Sequence, residues 1–177
     1  MSFVIRNAVP EDAPDIAKVH IQSWKETYPG IMPQQRIDAL NQESSTRNWL
    51  AGFERKDEIF VAVVAGQVVG FVSGGKNRIQ DGCESGEANK CDCELAAMYL
   101  LRDFQGLGIG KALLHTLAER FKDLGFSSMV AWVAEKNPSV QFYAHLGGER
   151  IDRKILLVCE VEVPVLAYRY CLERTGL

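Results

Sequence analysis

The chain has 177 residues, of which 47% are hydrophobic, so it is long and apolar enough to bury a sizeable core and short for two domains. Its formal net charge of -3 and the lack of a basic stripe argue against a nucleic-acid partner, which needs clustered Lys and Arg. The longest apolar stretch, 59–73, is interrupted by Ala65-Gly66-Gln67, and no secretion signal opens the sequence, so we expect one cytoplasmic domain over 1–177 without a membrane partner.

Changes in hydrophobic spacing divide the chain into helices and strands. Tyr28-Pro29-Gly30 ends the first long helix, and alternation with a period of two predicts a hairpin around Ala65-Gly66-Gln67, whose sequence fits no single turn type. The polar segment 74–92 contains several glycines and predicts a loop, which we expect to be mobile. The predicted elements, in the order βααβββαβαββ, are a strand at 3–6, helices at 11–27 and 34–53, strands at 59–64, 68–73 and 94–101, a helix at 109–124, a strand at 128–133, a helix at 139–146, and strands at 154–159 and 163–171.

A glycine-rich loop joins the strand at 94–101 to the helix at 109–124. Since Gly106, Gly108 and Gly110 have no Cβ, the backbone can turn tightly there and bring several N–H groups close to an anion. The helix that follows adds the positive end of its dipole. We therefore predict a phosphorylated ligand.

Two known kinds of phosphate loop do not fit this sequence. A nucleotide-hydrolase loop has glycine where this chain has Gln105 and a hydroxyl residue where it has Ala112. A dinucleotide-binding loop has its third glycine where this chain has Lys111. An ordinary glycine-rich turn between a strand and a helix is the alternative that the segment alone leaves open.

The remaining pattern, with Gln105, Gly108 and Gly110, resembles the acyl-CoA pyrophosphate loop of the GNAT superfamily of N-acetyltransferases. The resemblance extends over nearly the whole chain. Its segments are 23–30 (SWKETYPG), 94–110, 132–143, 146–148 and 167–169. Two departures are visible: Arg102 stands where many members have proline, and Asn137 is one residue closer to Phe142 than in many relatives.

This resemblance implies an α/β (α+β) fold with a central mixed, mostly antiparallel sheet flanked by helices. The strands 94–101 and 128–133 would splay apart, and the pantetheine arm of the co-substrate acetyl-CoA would insert between them. The expected cofactor contacts are the backbone of Met98, Tyr99 and Leu100 for the arm, Gln105, Gly106, Leu107, Gly108, Ile109, Gly110, Lys111 and Ala112 for the pyrophosphate, and Asn137. A solvated helix residue is the alternative interpretation of Lys111.

The resemblance also implies direct transfer of the acetyl group to a primary amine of a small molecule or peptide. Glu94 is the expected base, and a solvated carboxylate at a strand end is its alternative interpretation. Tyr143 is expected to donate to the CoA sulfur, and its alternative is a core aromatic whose hydroxyl finds a backbone partner. Trp24 and Tyr28 are either packing residues or a wall of the acceptor pocket, and the histidines receive no role.

Two other classes of function stay open: a non-catalytic acyl-CoA-binding or sensor module with the same fold, and a structural domain with an empty loop. The five cysteines are expected to be reduced thiols, and no Cys/His pair at zinc-finger spacing follows Cys91-Asp92-Cys93, so no metal is predicted. The sequence is compatible with a homodimer and does not decide the oligomeric state.

Overall fold

The computed structural model describes residues 2–173. The strands are β1 (Val4–Asn7), β2 (Glu58–Val64), β3 (Gln67–Lys76), β4 (Cys93–Leu100), β5 (Ser128–Ala134), β6 (Glu149–Val158) and β7 (Val161–Cys171). The α-helices are α1 (Ala13–Thr27), α2 (Gln34–Asp38), α3 (Gln42–Glu54), α4 (Ile109–Asp123) and α5 (Val140–His145). Short 3-10 turns lie at Pro10–Asp12, Glu87–Lys90 and Arg102–Phe104.

The observed order of elements differs from the predicted one at a single helix. The region 34–53 contains α2 and α3 rather than one helix, because the Asn41 side chain accepts the Ser44 amide at 3.1 Å and so caps a new helix start. Strand β6 also begins at Glu149, five residues before the predicted 154. The remaining elements agree with the prediction within a few residues.

The strands form one seven-stranded sheet in the order β1-β2-β3-β4-β5-β7-β6. Neighbours pair antiparallel except β4 and β5, which are parallel. Alternating residues send their side chains to opposite faces, so that Phe60 and Val72 pack in the core under α4 and α5, while Val61 and Phe71 pack under α1 and α3. The predicted mixed, mostly antiparallel sheet with helices on both faces is confirmed.

The hairpin between β2 and β3 has a two-residue turn. Ala65 and Gly66 both have positive φ, at 48° and 82°, which is the type I′ geometry that matches the twist of the flanking strands. The sequence left this turn type open, because Ala at its first position is an uncommon choice for a left-handed conformation.

Backbone hydrogen bonds tie the segment between β3 and β4, here called the 77–92 loop, to the sheet. The Asp152 carboxylate of β6 accepts the amides of Ser85 at 3.0 Å and Ala88 at 3.2 Å. Ala88 and Cys91 are buried against Val130 and other apolar side chains of the sheet. The composition predicts a mobile loop, whereas these contacts hold the loop against the sheet. The composition does not show them, because the groups that hold the loop come from strands distant in sequence.

The pairing of β4 with β5 stops early, as the resemblance implied. Only Cys93, Glu94 and Leu95 have partners on β5, and the last pair is Leu95 with Ala131. On the other side of β4, Ser73 faces Ala97 while Gly74 faces Leu95, so Ala96 is an extra residue that forms a β-bulge. Since a bulge bends its strand, β4 turns away from β5 directly after Leu95 and leaves an open gap between the two strands.

Two further expectations concern the chain as a whole. The five cysteines are all free of disulfides. None of the helices within residues 2–173 combines the length and the apolar character needed to cross a bilayer.

Two adjacent glycines of β3 test the packing of the sheet against α4. A Cβ at Gly74 would clash with the Glu94 carbonyl and lie 2.9 Å from the Phe121 ring, whereas at Gly75 the nearest atom is 3.9 Å away. We expect Gly74→Ala to lower the free energy of unfolding by roughly 1–3 kcal/mol, and Gly75→Ala to change it by less than about 0.5 kcal/mol. Urea titration of both variants measures this, and equal losses would contradict the packing.

Candidate active site

The gap between β4 and β5 exposes backbone groups of β4. The Leu101 amide donates to the Val69 carbonyl of β3 at 2.9 Å. Because successive residues of a strand present their backbone groups to opposite edges, Tyr99 also faces β3, and Met98 and Leu100 face the gap. The prediction that all three residues pair with the pantetheine arm is therefore wrong for Tyr99, whose backbone is already paired.

The Gln105 side chain occupies part of this edge. Its amide nitrogen donates to the Leu100 carbonyl at 3.1 Å, and its own backbone amide donates to the Arg102 carbonyl at 3.1 Å. The structure thus gives Gln105 a local role, holding the end of β4 against the start of the glycine loop. One N–H of its side-chain amide and its backbone N–H thus have protein acceptors, while the second side-chain N–H has none within residues 2–173.

The amides from Gly106 to Lys111 form the free part of the glycine loop. None of them donates a hydrogen bond to a group within the described part of the chain, while the Ala112 amide is used by the Gly108 carbonyl at 3.0 Å. Gly106 and Gly108 have φ of 74° and 82°, a conformation that favours glycine. Of the amides from Gln105 to Ala112 that are predicted to bind the pyrophosphate, those of Gln105 and Ala112 already have protein acceptors and the six between them do not.

The side chains of the loop divide between solvent and core. Leu107 and Lys111 are exposed, whereas Ile109 is buried under the sheet and anchors the first turn of α4. Gly110 is required for a different reason from the other glycines, because a Cβ there would lie 3.3 Å from the Phe142 ring of α5. Gly110 thus lets α4 approach α5.

Glu94 lies at the apex of the gap, one residue before the last β4–β5 pair. It is only 4% exposed, and its carboxylate forms an ion pair with Arg78 of the 77–92 loop. Its neighbours Cys93 and Leu95 belong to the core under α4, so Glu94 points to the opposite face of the sheet. Burial excludes the alternative of a solvated carboxylate at a strand end.

Tyr143 is buried on α5, and burial raises the pKa of its phenol. Its backbone carbonyl accepts the Tyr170 hydroxyl at 2.8 Å. Within residues 2–173 its own hydroxyl has no hydrogen-bond partner. The backbone partner expected for a purely structural tyrosine is thus found for Tyr170 and not for Tyr143.

An aromatic wall, made of Trp24, Tyr28 and Tyr99, stands on the face of the sheet opposite α4. The Trp24 indole donates to the Tyr99 hydroxyl at 2.9 Å, and the Tyr28 ring lies 4.6 Å from that of Trp24. His20 stacks on Tyr99 at 5.0 Å, and burial lowers the pKa of this histidine to about 4. Trp24 and Tyr28 therefore belong to this wall. The sequence alone left open whether they are packing residues or line the acceptor pocket.

Asn137 connects this wall to α5. Its Nδ2 donates to the Tyr28 hydroxyl at 3.4 Å, and its Oδ1 accepts the Ser139 amide at 2.8 Å just before α5. Both ends of the amide therefore already have protein partners. The structure indicates a positioning role for Asn137 where the resemblance implied a cofactor contact.

Sequence reasoning missed three residues on the same face as Glu94: Arg78, Trp132 and Lys154. Trp132 follows the last paired residue of β5, and the Lys154 ammonium lies over its ring, 4.4 Å from the centroid. The alternation of buried and exposed positions along β6 could have identified Lys154, since Asp152 and Lys154 both take buried positions of the strand. It was missed because the strand was predicted to begin only at Lys154.

The chain is similar to a known protein family. The model of the acetyltransferase (GNAT) family matches residues 19–147, which include the gap, the glycine loop, Glu94 and Tyr143. The chain belongs to the GNAT acetyltransferase family. It is 40% identical over 148 residues to the uncharacterized N-acetyltransferase YuaI of Bacillus subtilis, covering 83% of this chain and 80% of the relative.

Solved GNAT structures have the same fold. The yncA protein of Salmonella typhimurium, solved with its cofactor acetyl-CoA, is similar with a TM-score of 0.74 and 19% identity, covering 100% of this chain and 98% of that one. The PaiA N-acetyltransferase of Thermoplasma acidophilum, solved with coenzyme A, has a TM-score of 0.70 and 21% identity, covering 96% of this chain and 100% of its own.

The two ends of α4 give a matched test of the glycine loop. Gly108 and Gly125 have φ of 82° and 85°, and neither has an atom within 4 Å of the Cβ position. Alanine at either site should cost about 1–2 kcal/mol of stability through its left-handed backbone. Only Gly108→Ala should weaken CoA binding, by at least about tenfold, because it disturbs the free amides. Calorimetry measures the affinity, and an unchanged value in folded Gly108→Ala would remove the phosphate-loop assignment.

Proposed function

We propose that this GNAT protein transfers the acetyl group of acetyl-CoA directly to a primary amine. The observation that carries the proposal is the gap between β4 and β5 together with the groups beside it. The buried carboxylate of Glu94 lies where the two strands separate, and the free amides of residues 106–111 follow the end of β4. Free amides at the start of a long helix suit a pyrophosphate, and an open strand edge suits the amide groups of pantetheine. Relatives solved with coenzyme A or acetyl-CoA support the same cofactor.

In this proposal Glu94 accepts the proton of the acceptor ammonium. An alkyl ammonium has a pKa of about 10.4 and cannot attack a thioester until it loses a proton. The buried carboxylate, paired with the exposed Arg78, stands beside the point where β4 and β5 separate. An amine that takes the place of the guanidinium would meet both the base and the thioester there, and this positioning supplies most of the remaining rate.

The hydroxyl of Tyr143 serves the departing thiolate. It belongs to the core on the α4 side of the sheet, the side from which the glycine loop opens, and it has no protein partner within residues 2–173. Burial keeps the phenol protonated at neutral pH, since it raises the pKa of Tyr143. The group is thus able to donate a hydrogen bond to sulfur.

The burial of Glu94 favours an enzyme over a non-catalytic acyl-CoA sensor. A carboxylate removed from water costs stability unless it is paired, and a sensor that only binds CoA has no use for one at the apex of the gap. Release of free thiol from acetyl-CoA in the presence of an amine distinguishes the two. A sensor would bind CoA and release none.

The partners follow from the same proposal. The acceptor is an amine of a small molecule or a peptide, and the reaction takes place in the cytoplasm, where thiols such as the five here stay reduced. Exposed apolar residues on the edge strand β6, Ile155 and Leu157, support a homodimer formed through that strand.

The first prediction here concerns Glu94. Glu94→Gln keeps the shape of the side chain and removes the base, so turnover should fall about 10²- to 10⁴-fold at neutral pH. It should recover partly as pH rises, because the neutral fraction of the amine increases about tenfold per pH unit below the amine pKa. Thiol release measured across pH tests this. A profile scaled down equally at every pH would make Glu94 a positioning residue.

The second prediction uses two tyrosines as a pair. Tyr143→Phe keeps the ring packing and removes a hydroxyl without a protein partner, so kcat should fall about 10²- to 10³-fold with little change in stability or in acetyl-CoA affinity. Tyr170→Phe removes the hydrogen bond to the Tyr143 carbonyl and should lower stability by about 1 kcal/mol, with a smaller effect on kcat. Full activity in Tyr143→Phe would leave that residue as a core aromatic only.

A further inference from the structure

Lys154 is a buried cation without a carboxylate partner. The residue is 5% exposed on β6, and its ammonium donates to the side-chain carbonyl of Gln80 and lies over the Trp132 ring. No Asp or Glu of residues 2–173 forms an ion pair with it. Since lysine is almost never fully buried without an opposite charge, this arrangement needs an explanation.

A second donor beside Lys154 has no hydrogen-bond partner within the described residues. The indole nitrogen of Trp132 is buried and makes no hydrogen bond within the described chain. Trp132 lies on β5 just past its last pair with β4, at the edge of the gap. An ammonium with a neutral acceptor as its only hydrogen-bond partner, next to an indole N–H with none, favours an anionic group of a ligand at this place.

The carboxylates near Lys154 are engaged elsewhere. Glu94 pairs with Val130 of β5, two residues before Trp132 on the same face of the sheet. Burial lowers the pKa of Lys154, and the charges of Glu94, Arg78 and Asp152 act on it. Asp152, on the same face of β6, is occupied by the amides of Ser85, Ala88 and Arg153. Lys154 therefore forms an ion pair with neither nearby carboxylate, because Glu94 is paired with Arg78 and Asp152 is held by backbone amides.

We propose that the acceptor is a free α-amino acid, whose ammonium binds Glu94 and whose carboxylate binds Lys154 and Arg78. The inference rests on the proposed function and names its substrate class. A zwitterion satisfies both signs, because its amine replaces the guanidinium on Glu94 while its carboxylate takes up the two cations. A peptide N-terminus carries an amide in place of that carboxylate, and a simple amine carries nothing there.

Matched acceptors test this on the whole protein. L-phenylalanine is compared with phenethylamine, and L-leucine with isoamylamine, since each pair differs by the carboxylate alone, and the dipeptide Phe-Gly represents a peptide amine. We expect kcat/KM, from thiol release with acetyl-CoA, to be at least about tenfold higher for the amino acid of a pair, chiefly through KM. Equal values within each pair, or a preference for the dipeptide, would overturn the inference and leave acetyl transfer intact.

Variants tie the preference to the two cations. Lys154→Met keeps the length and apolar stem of the side chain, and should reduce the ratio of the two kcat/KM values to near one. Arg78→Met should reduce it partly, and because this variant also leaves buried Glu94 without its ion-pair partner, the ratio of the two kcat/KM values is the readout and not the absolute rate. Lys18→Met, on the exposed face of α1, is the control and should leave the ratio unchanged. A full preference in folded Lys154→Met would contradict the assignment.

Binding separates the inference from the proposed function. Calorimetry with the CoA-bound protein measures the affinity for L-phenylalanine and phenethylamine without turnover. Preferential binding of the amino acid without any thiol release would support the carboxylate site and refute acetyl transfer. No difference in binding would refute the site, whatever the turnover.

Discussion

The bulge at Ala96 is the feature on which the rest of the site depends. Parallel strands normally pair along their whole length, since an unpaired strand edge leaves backbone groups without partners. One extra residue in β4 bends the strand after Leu95, so that β4 follows β3 and β5 follows β7. The gap between them is thus part of the fold itself. The backbone of Met98 and the amide of Leu100 have no strand partner there, while the Leu100 carbonyl accepts the Gln105 side chain.

The gap also decides which side of the sheet performs which task. The glycine loop and Tyr143 belong to the α4 side, and Glu94, Lys154 and the aromatic wall belong to the other. A thioester that passes through the opening would meet an amine held on the opposite face. In the proposed reaction, the two substrates would approach each other from opposite faces of the sheet.

The charged groups buried at the apex of the gap, which the proposed function uses, lower the stability of the fold. Burying Glu94 and Lys154 near each other costs more than an apolar pair of the same size would, because each charge loses its water. The surrounding core offsets this cost: Phe71 and Val130 are fully buried on the same face of the sheet. Groups that are expensive to bury and have few partners are commonly found where a ligand completes the arrangement.

Hydrogen bonds connect α1 both to β4 and to the segment that follows β5. Trp24 of α1 reaches Tyr99 of β4, and Asn137, before α5, reaches Tyr28 at the end of α1. These contacts join elements that are far apart in the chain, by 75 and 109 residues. The cofactor contact that the resemblance implies for Asn137 stays a prediction.

The sequence by itself determined the local features of this protein. Hydrophobic periodicity located the strands and most helices, and the glycines located the loop and the family, because both depend on residues close together in the chain. Asn41 split a predicted helix through a side-chain cap, which periodicity does not register. Only the tertiary structure decided that Tyr99 is paired, that Glu94 is buried at the apex of the gap, and that Lys154 is buried near it without forming an ion pair. Those properties depend on strand register and on contacts between distant segments, and a single residue inserted at Ala96 is enough to change which face a side chain takes.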